Sequence, residues 1–154
     1  MKGLVVLCLA GCASFAQTPP TAPPRTTHLG LDVERFELMN GLRVVLVHDP
    51  TAPEVEVTMR YAVGGIDEPA GQAGIAHLVE HLMYQQVLGS QTLFAHLEAG
   101  ASDFNGATTH DATTYVARAN PGRLDELLSI EAVRAGLRCT SITDSAFERE
   151  REVV

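Results

Sequence analysis

The sequence predicts an α+β fold, a mostly antiparallel β-sheet with helices packed against it. Three observations carry this reading. An Asn40-Gly41 pair separates two strand-like runs, Val55, Val57, Met59 and Tyr61 alternate with polar or small partners, and several later segments space their apolar residues as helices do.

The 154 residues hold an apparent leader followed by a Pro-rich stretch. Setting both aside leaves about 120 to 130 residues, enough for one core. In residues 1–17, Lys2 precedes a short apolar run, Gly3 to Ala10, far below the roughly 20 residues of a membrane span. This reads as an export signal. Leu9-Ala10-Gly11-Cys12 resembles a bacterial lipobox, which implies a periplasmic protein held to the membrane by a lipid on Cys12. The alternative is ordinary cleavage after Ala16, with small Ser14 and Ala16 at the positions a signal peptidase reads. Residues 18–28, with four prolines in Pro19-Pro20 and Pro23-Pro24, read as an extended tether, and the folded domain is taken as 29–154.

Glu34 to Leu38 and Leu42 to Val47 flank Met39-Asn40-Gly41 and predict a β-hairpin, because Asn-Gly accepts the positive φ of a tight turn. A third strand follows over Val55 to Tyr61. After a Gly/Pro/Asp-rich loop from Gly64-Gly65 to Gly74, Ile75, Leu78, Val79 and Leu82 fall at i, i+3, i+4 and i+7 and predict one apolar helix face. A second helix is expected from Ser90 to Ala99, then a strand pair over Ala101 to Thr109 and Thr113 to Ala119. Asn120-Pro121 should start a third helix with Leu124, Leu127 and Leu128 on one face, ending near Gly136. Ser145 to Glu148 has the form of a capping box for a last helix.

The net charge of −8, with no Lys/Arg cluster, argues against nucleic acid as a partner, since phosphate binding needs basic side chains. The cysteines are Cys8, Cys12 and Cys139, so the folded part has one thiol, read as a small buried residue. His28, His48 and His96 lack a ligand partner at a recognisable spacing and read as surface residues, whereas His110 followed by Asp111 can be read as another ligand pair.

His77, Glu80 and His81 carry the chemistry. At about 100° per residue the two histidines come out neighbouring and opposite the predicted apolar face, with Glu80 beside them. Two imidazoles four apart can reach one Zn²⁺, and zinc lowers the pKa of its bound water so that a nearby carboxylate can take the proton. Read blandly, they are surface histidines and a solvated charge. His77-Leu78-Val79-Glu80-His81 is the inverted zinc motif. Together with Asn40-Gly41-Leu42-Arg43-Val44-Val45, Gly64-Gly65 and Glu148-Arg149-Glu150-Arg151-Glu152, it makes the chain resemble the amino-terminal part of a pitrilysin/insulinase-family zinc metallopeptidase.

The resemblance implies the first half of a processing-peptidase-like domain and a zinc-dependent endopeptidase acting on peptides or unfolded polypeptides. It implies His77 and His81 as ligands, Glu80 as the group that activates water, Glu150 as a supporting acidic residue, and Asn105 in Phe104-Asn105-Gly106 as a residue that pairs with substrate backbone. The same positions keep simpler readings, Glu148, Glu150 and Glu152 as an exposed salt-bridged helix and Asn105 as a turn former. The third ligand, a glutamate, is expected roughly seventy-five residues after His81, beyond Val154. The chain is therefore expected to be a fragment, inactive alone, that needs a companion domain or subunit. The alternatives are a non-catalytic family subunit and a lipid-anchored peptide- or metal-binding module.

Overall fold

A computed structural model describes residues 25–28, 30–136 and 141–154. The segment read as a leader, with Cys12 and Ala16, the prolines up to Pro24, and Cys139 lie outside the described residues. The chain divides into two units, Met1–Pro50 and Thr51–Val154.

The first unit is built around the Asn-Gly turn. Gly41 takes φ 85°, Asn40 Oδ1 accepts from the Leu42 amide at 3.1 Å, and the Leu38 amide donates to the Leu42 carbonyl at 2.9 Å. The turn joins β2 (Leu31–Glu37) to β3 (Arg43–His48) as the predicted antiparallel hairpin, in register from Asp32 opposite His48 to Glu37 opposite Arg43. Residues 25–28, read above as the end of the tether, instead form β1 (Arg25–His28), paired antiparallel with β2. Gly30 at φ 83° reverses the chain there, and β-branched Thr26 and Thr27 suit a strand.

In the second unit β4 (Val55–Tyr61), β7 (Asp103–Thr108) and β8 (Thr113–Ala119) form an antiparallel sheet in the order β4-β8-β7. Alternation puts Val55, Val57 and Tyr61 of β4, Tyr115, Ala117 and Ala119 of β8, and Phe104, Gly106 and Thr108 of β7 on the more buried positions. Leu93 and Leu97 of α2 (Leu93–Gly100) and Leu127 and Ile130 of α3 (Leu124–Ala135) complete the core with Ala117 and Ala119. The second helix starts later than the sequence suggested. Val87–Leu88 (β5) and Gln91–Thr92 (β6) make a tight hairpin around Gly89 at φ 65°, and the Thr92 hydroxyl caps α2 by accepting from the Ala95 amide at 3.2 Å.

The buried faces of two helices also differ from the apolar stripes. On α1 (Ile75–Tyr84) the buried residues are Ala76, Glu80, Leu82 and Met83, whereas Ile75 and Val79 are exposed. On α3 they are Leu127, Ile130, Glu131 and Arg134, whereas Leu124 and Leu128 are exposed. Each face includes charged groups, which a search for apolar spacing passes over. Glu131 and Arg134 are tolerated inside because they pair at 3.0 Å, and the guanidinium lies 3.9 Å over the Tyr115 ring. The last helix, α4 (Asp144–Val153), is capped by Thr143 in place of Ser145: its hydroxyl accepts from the Ala146 amide at 3.2 Å.

The loop between β4 and α1 is laced to the β7–β8 turn. The Gly65 and Ile66 amides donate to the Thr109 and His110 carbonyls at 3.1 and 2.8 Å. A methyl on Gly64 would stand 2.4 Å from the Thr109 carbonyl oxygen, so only glycine fits. The same loop supplies the missing cap of α1. Gly74 at its N-cap has no side chain, and Glu68 accepts from the Gly74 and Ala76 amides at 3.1 and 2.9 Å, a negative charge at the positive helix end.

Candidate metal centre

Held in this way at its start, α1 lays the Ala76–Glu80–Met83 face on the sheet and leaves His77 exposed and His81 half-buried. The two imidazole centroids lie 4.9 Å apart, at 78°. One ligand atom each of His77, Glu80 and His81 lies within 4.8 Å of the other two, an arrangement suited to a metal ion. Among the described residues this is the one group of three such side chains.

Glu80 is 6 % exposed and turned toward the sheet, so it is not a solvated surface charge. The Thr108 hydroxyl donates to Glu80 Oε2 at 2.5 Å. On the other side Gly106 gives the carboxylate room, because a Cβ there would lie 2.6 Å from Oε1. Thr108 has no sequence signal and Gly106 enters only as the neighbour of Asn105, since both lie on a strand whose register against α1 only the fold reveals. Glu150 separates from the other acids of its helix. Glu148 and Glu152 are exposed, with Glu148 paired to Arg151, while Glu150 Oε2 stands 3.1 Å from His81 Nδ1. Its other oxygen, Oε1, accepts from Gln85 Nε2 at 2.9 Å. A carboxylate behind a histidine fixes which ring nitrogen is free for a metal. Nδ1 is taken by Glu150, which leaves Nε2.

A cavity of about 420 Å³ adjoins this cluster. Glu80, His81 and Glu150 line one part, Tyr84, Phe94 and Phe104 another, and Asn105 also lies in the wall. The three aromatic rings meet edge-on or tilted at 5.6 to 6.3 Å. His110 lies outside the cluster, beside Asp111, which pairs with Arg60 at 3.3 Å. His96, read as a surface residue, is half-buried instead. Its Nδ1 stands 3.3 Å from Glu126 Oε1 and its Nε2 2.9 Å from the Leu88 carbonyl, a partnership between helices that spacing along the chain does not reveal.

These features meet their counterparts in known proteins. The family described as Insulinase (Peptidase family M16) matches residues 43–154. The chain belongs to this family. The insulinase-family chain is 31 % identical over 131 residues to a protein of Helicobacter pylori named zinc protease PqqE, covering 79 % of the chain and 28 % of that protein. It is also 31 % identical over 136 residues to the probable mitochondrial-processing peptidase subunit beta of Schizosaccharomyces pombe, covering 87 % of the chain and 28 % of the relative. The chain thus spans under a third of the length of these curated relatives. A crystal structure of pitrilysin superposes with a TM-score of 0.72 at 21 % identity, over 86 % of the chain and 15 % of pitrilysin, and shares the fold.

Burial shapes the ionisation of the aromatic side of this family member. The chain has three tyrosines. Burial pushes the Tyr61 and Tyr84 hydroxyls up to about 12, and Tyr115 higher still. Burial also raises the Glu131 carboxyl, although the Arg134 charge pulls the other way. For tyrosines raised by burial, the contribution to stability is intact below the unfolded value of about 10 and is lost as pH rises through the folded values. Alkaline titration of tyrosinate absorbance should therefore show little ionisation near pH 10, with its rise near 12 accompanied by loss of helical circular dichroism. A midpoint near 10 in the folded chain would contradict the packing described.

Proposed function

We infer that the chain carries the metal-binding and proton-transfer residues of a zinc-dependent endopeptidase that hydrolyses peptides or unfolded polypeptides. The observation behind this is the juxtaposition of His77, Glu80 and His81, with Glu150 backing His81. The donor set fits zinc: two imidazoles on one helix face, one of them backed by a carboxylate, are typical zinc chemistry, and a relative is named a zinc protease. Zinc held there would supply Lewis acidity toward a peptide carbonyl and lower the pKa of a coordinated water toward about 7.

The chain's own residues do the rest. Glu80, anchored at Oε2 by Thr108, has Oε1 to take the proton from the attacking water and return it to the departing amine. With Glu80 as base, the described residues offer His77 and His81 as ligands, and a third is expected from elsewhere in the protein. Strand β7 pairs with β8 alone among the described strands, so its other edge can accept an extended substrate in the manner of an added strand, with Asn105 contributing side-chain hydrogen bonds. The aromatic wall of Tyr84, Phe94 and Phe104 suits an apolar side chain next to the bond that is cut. The test is hydrolysis of a quenched fluorescent peptide library by the gene's full-length product. Cleavage should stop with a zinc chelator and return with added zinc; cleavage indifferent to both would refute the assignment.

A further inference from the structure

Gln85 is the first residue beyond α1, its backbone amide donating to the Leu82 carbonyl at 3.0 Å. Four residues after His81, it occupies the same side of the helix one turn on. Glu150 reaches across from α4 and touches both, Oε2 to His81 at 3.1 Å and Oε1 to Gln85 at 2.9 Å. A carboxylate only accepts, so the Gln85 amide must present its nitrogen, and the direction of the bond is settled. Glu150 is 13 % exposed at its side chain, and among the described residues its one further ion pair is a long one, 3.8 Å to exposed Arg149. Without Gln85 the carboxylate would be free to rotate about its last bond and follow the arginine, taking Oε2 away from the imidazole.

We propose that Gln85 is a positioning residue that acts through Glu150: by holding Oε1 it keeps Oε2 on His81 Nδ1, and so keeps His81 Nε2 turned to the metal position. This rests on the zinc reading above. The role belongs to an amide donor at this place in the chain and not to the bulk of the side chain, so a variant that can still donate should work where an isostere without a donor fails.

The probe is zinc alone, titrated into the gene's full-length product against a chromophoric chelator, with melting curves to establish that each variant is folded. Gln85→Leu should weaken zinc binding by about 10–100-fold, as loss of an outer-shell partner does, whereas Gln85→Lys should stay close to the parent. In a Glu150→Gln background the Leu substitution should add little, because the intermediary is already lost. Equal affinities for the parent and Gln85→Leu, or a full additional loss in the Glu150→Gln background, would overturn the proposal. A parent that binds no zinc would instead sink the metal reading, and Gln85 would then be judged by ring-nitrogen NMR of His81. There the hydrogen should sit on Nδ1 in the parent and distribute over both nitrogens in Gln85→Leu; an unchanged distribution would likewise overturn it.

Discussion

Glu80→Gln is expected to lower peptide hydrolysis by about 10²–10⁴-fold while leaving zinc content unchanged, because positioned proton transfer is worth that much and the amide keeps the shape of the acid. The surroundings of Glu80 make this substitution unusually clean. The Thr108 hydroxyl can donate to an amide oxygen as it does to Oε2, and Gly106 leaves space on the other side. The variant should therefore fold like the parent, with its helix cap at Glu68 and its core untouched. Kinetics on the full-length product and metal analysis of the same preparation decide it. Turnover near that of the parent would remove Glu80 from proton transfer, and loss of zinc together with activity would make Glu80 a ligand, leaving the base to be found elsewhere.

The parts of the fold and of the site that the sequence makes legible are those whose residues are close along the chain. His77, Glu80 and His81 lie within about 1.1 turns of helix, and Asn40-Gly41 encodes its own turn, so local geometry alone predicts both. The alternation of Val55, Val57, Met59 and Tyr61 works for the same reason. What was misread depends on partners distant in sequence. Ile75 and Val79 look like a core stripe until the sheet takes the Ala76–Glu80–Met83 side of α1, and the buried face of α3 includes Glu131 and Arg134, which only their mutual pairing and the Tyr115 ring make tolerable. Glu68, Thr108 and Gln85 carry no pattern at all. Glu150 is an intermediate case: the resemblance singled it out, but its partnership with His81 spans 69 positions and is visible only in three dimensions.

His81→Ala should weaken zinc binding by more than the roughly 10–100-fold expected for an outer-shell change such as Gln85→Leu, because it removes a direct donor. The loss is compounded by what surrounds the ring. Glu150 meets His81 Nδ1 with Oε2 and accepts from Gln85 with Oε1, so deleting the imidazole leaves a largely enclosed carboxylate facing a void, still bonded to Gln85. His77 stands exposed on the preceding turn, with its ring edge-on to that of His81, and His77→Ala should cost the ion as much while disturbing the protein less. The pair therefore separates metal binding from folding. Both variants should fail to retain zinc in competition with a chromophoric chelator, and His81→Ala should also melt at a lower temperature than His77→Ala. Zinc retained at near-parent affinity in either variant would show that the ion, if bound, is held by other donors.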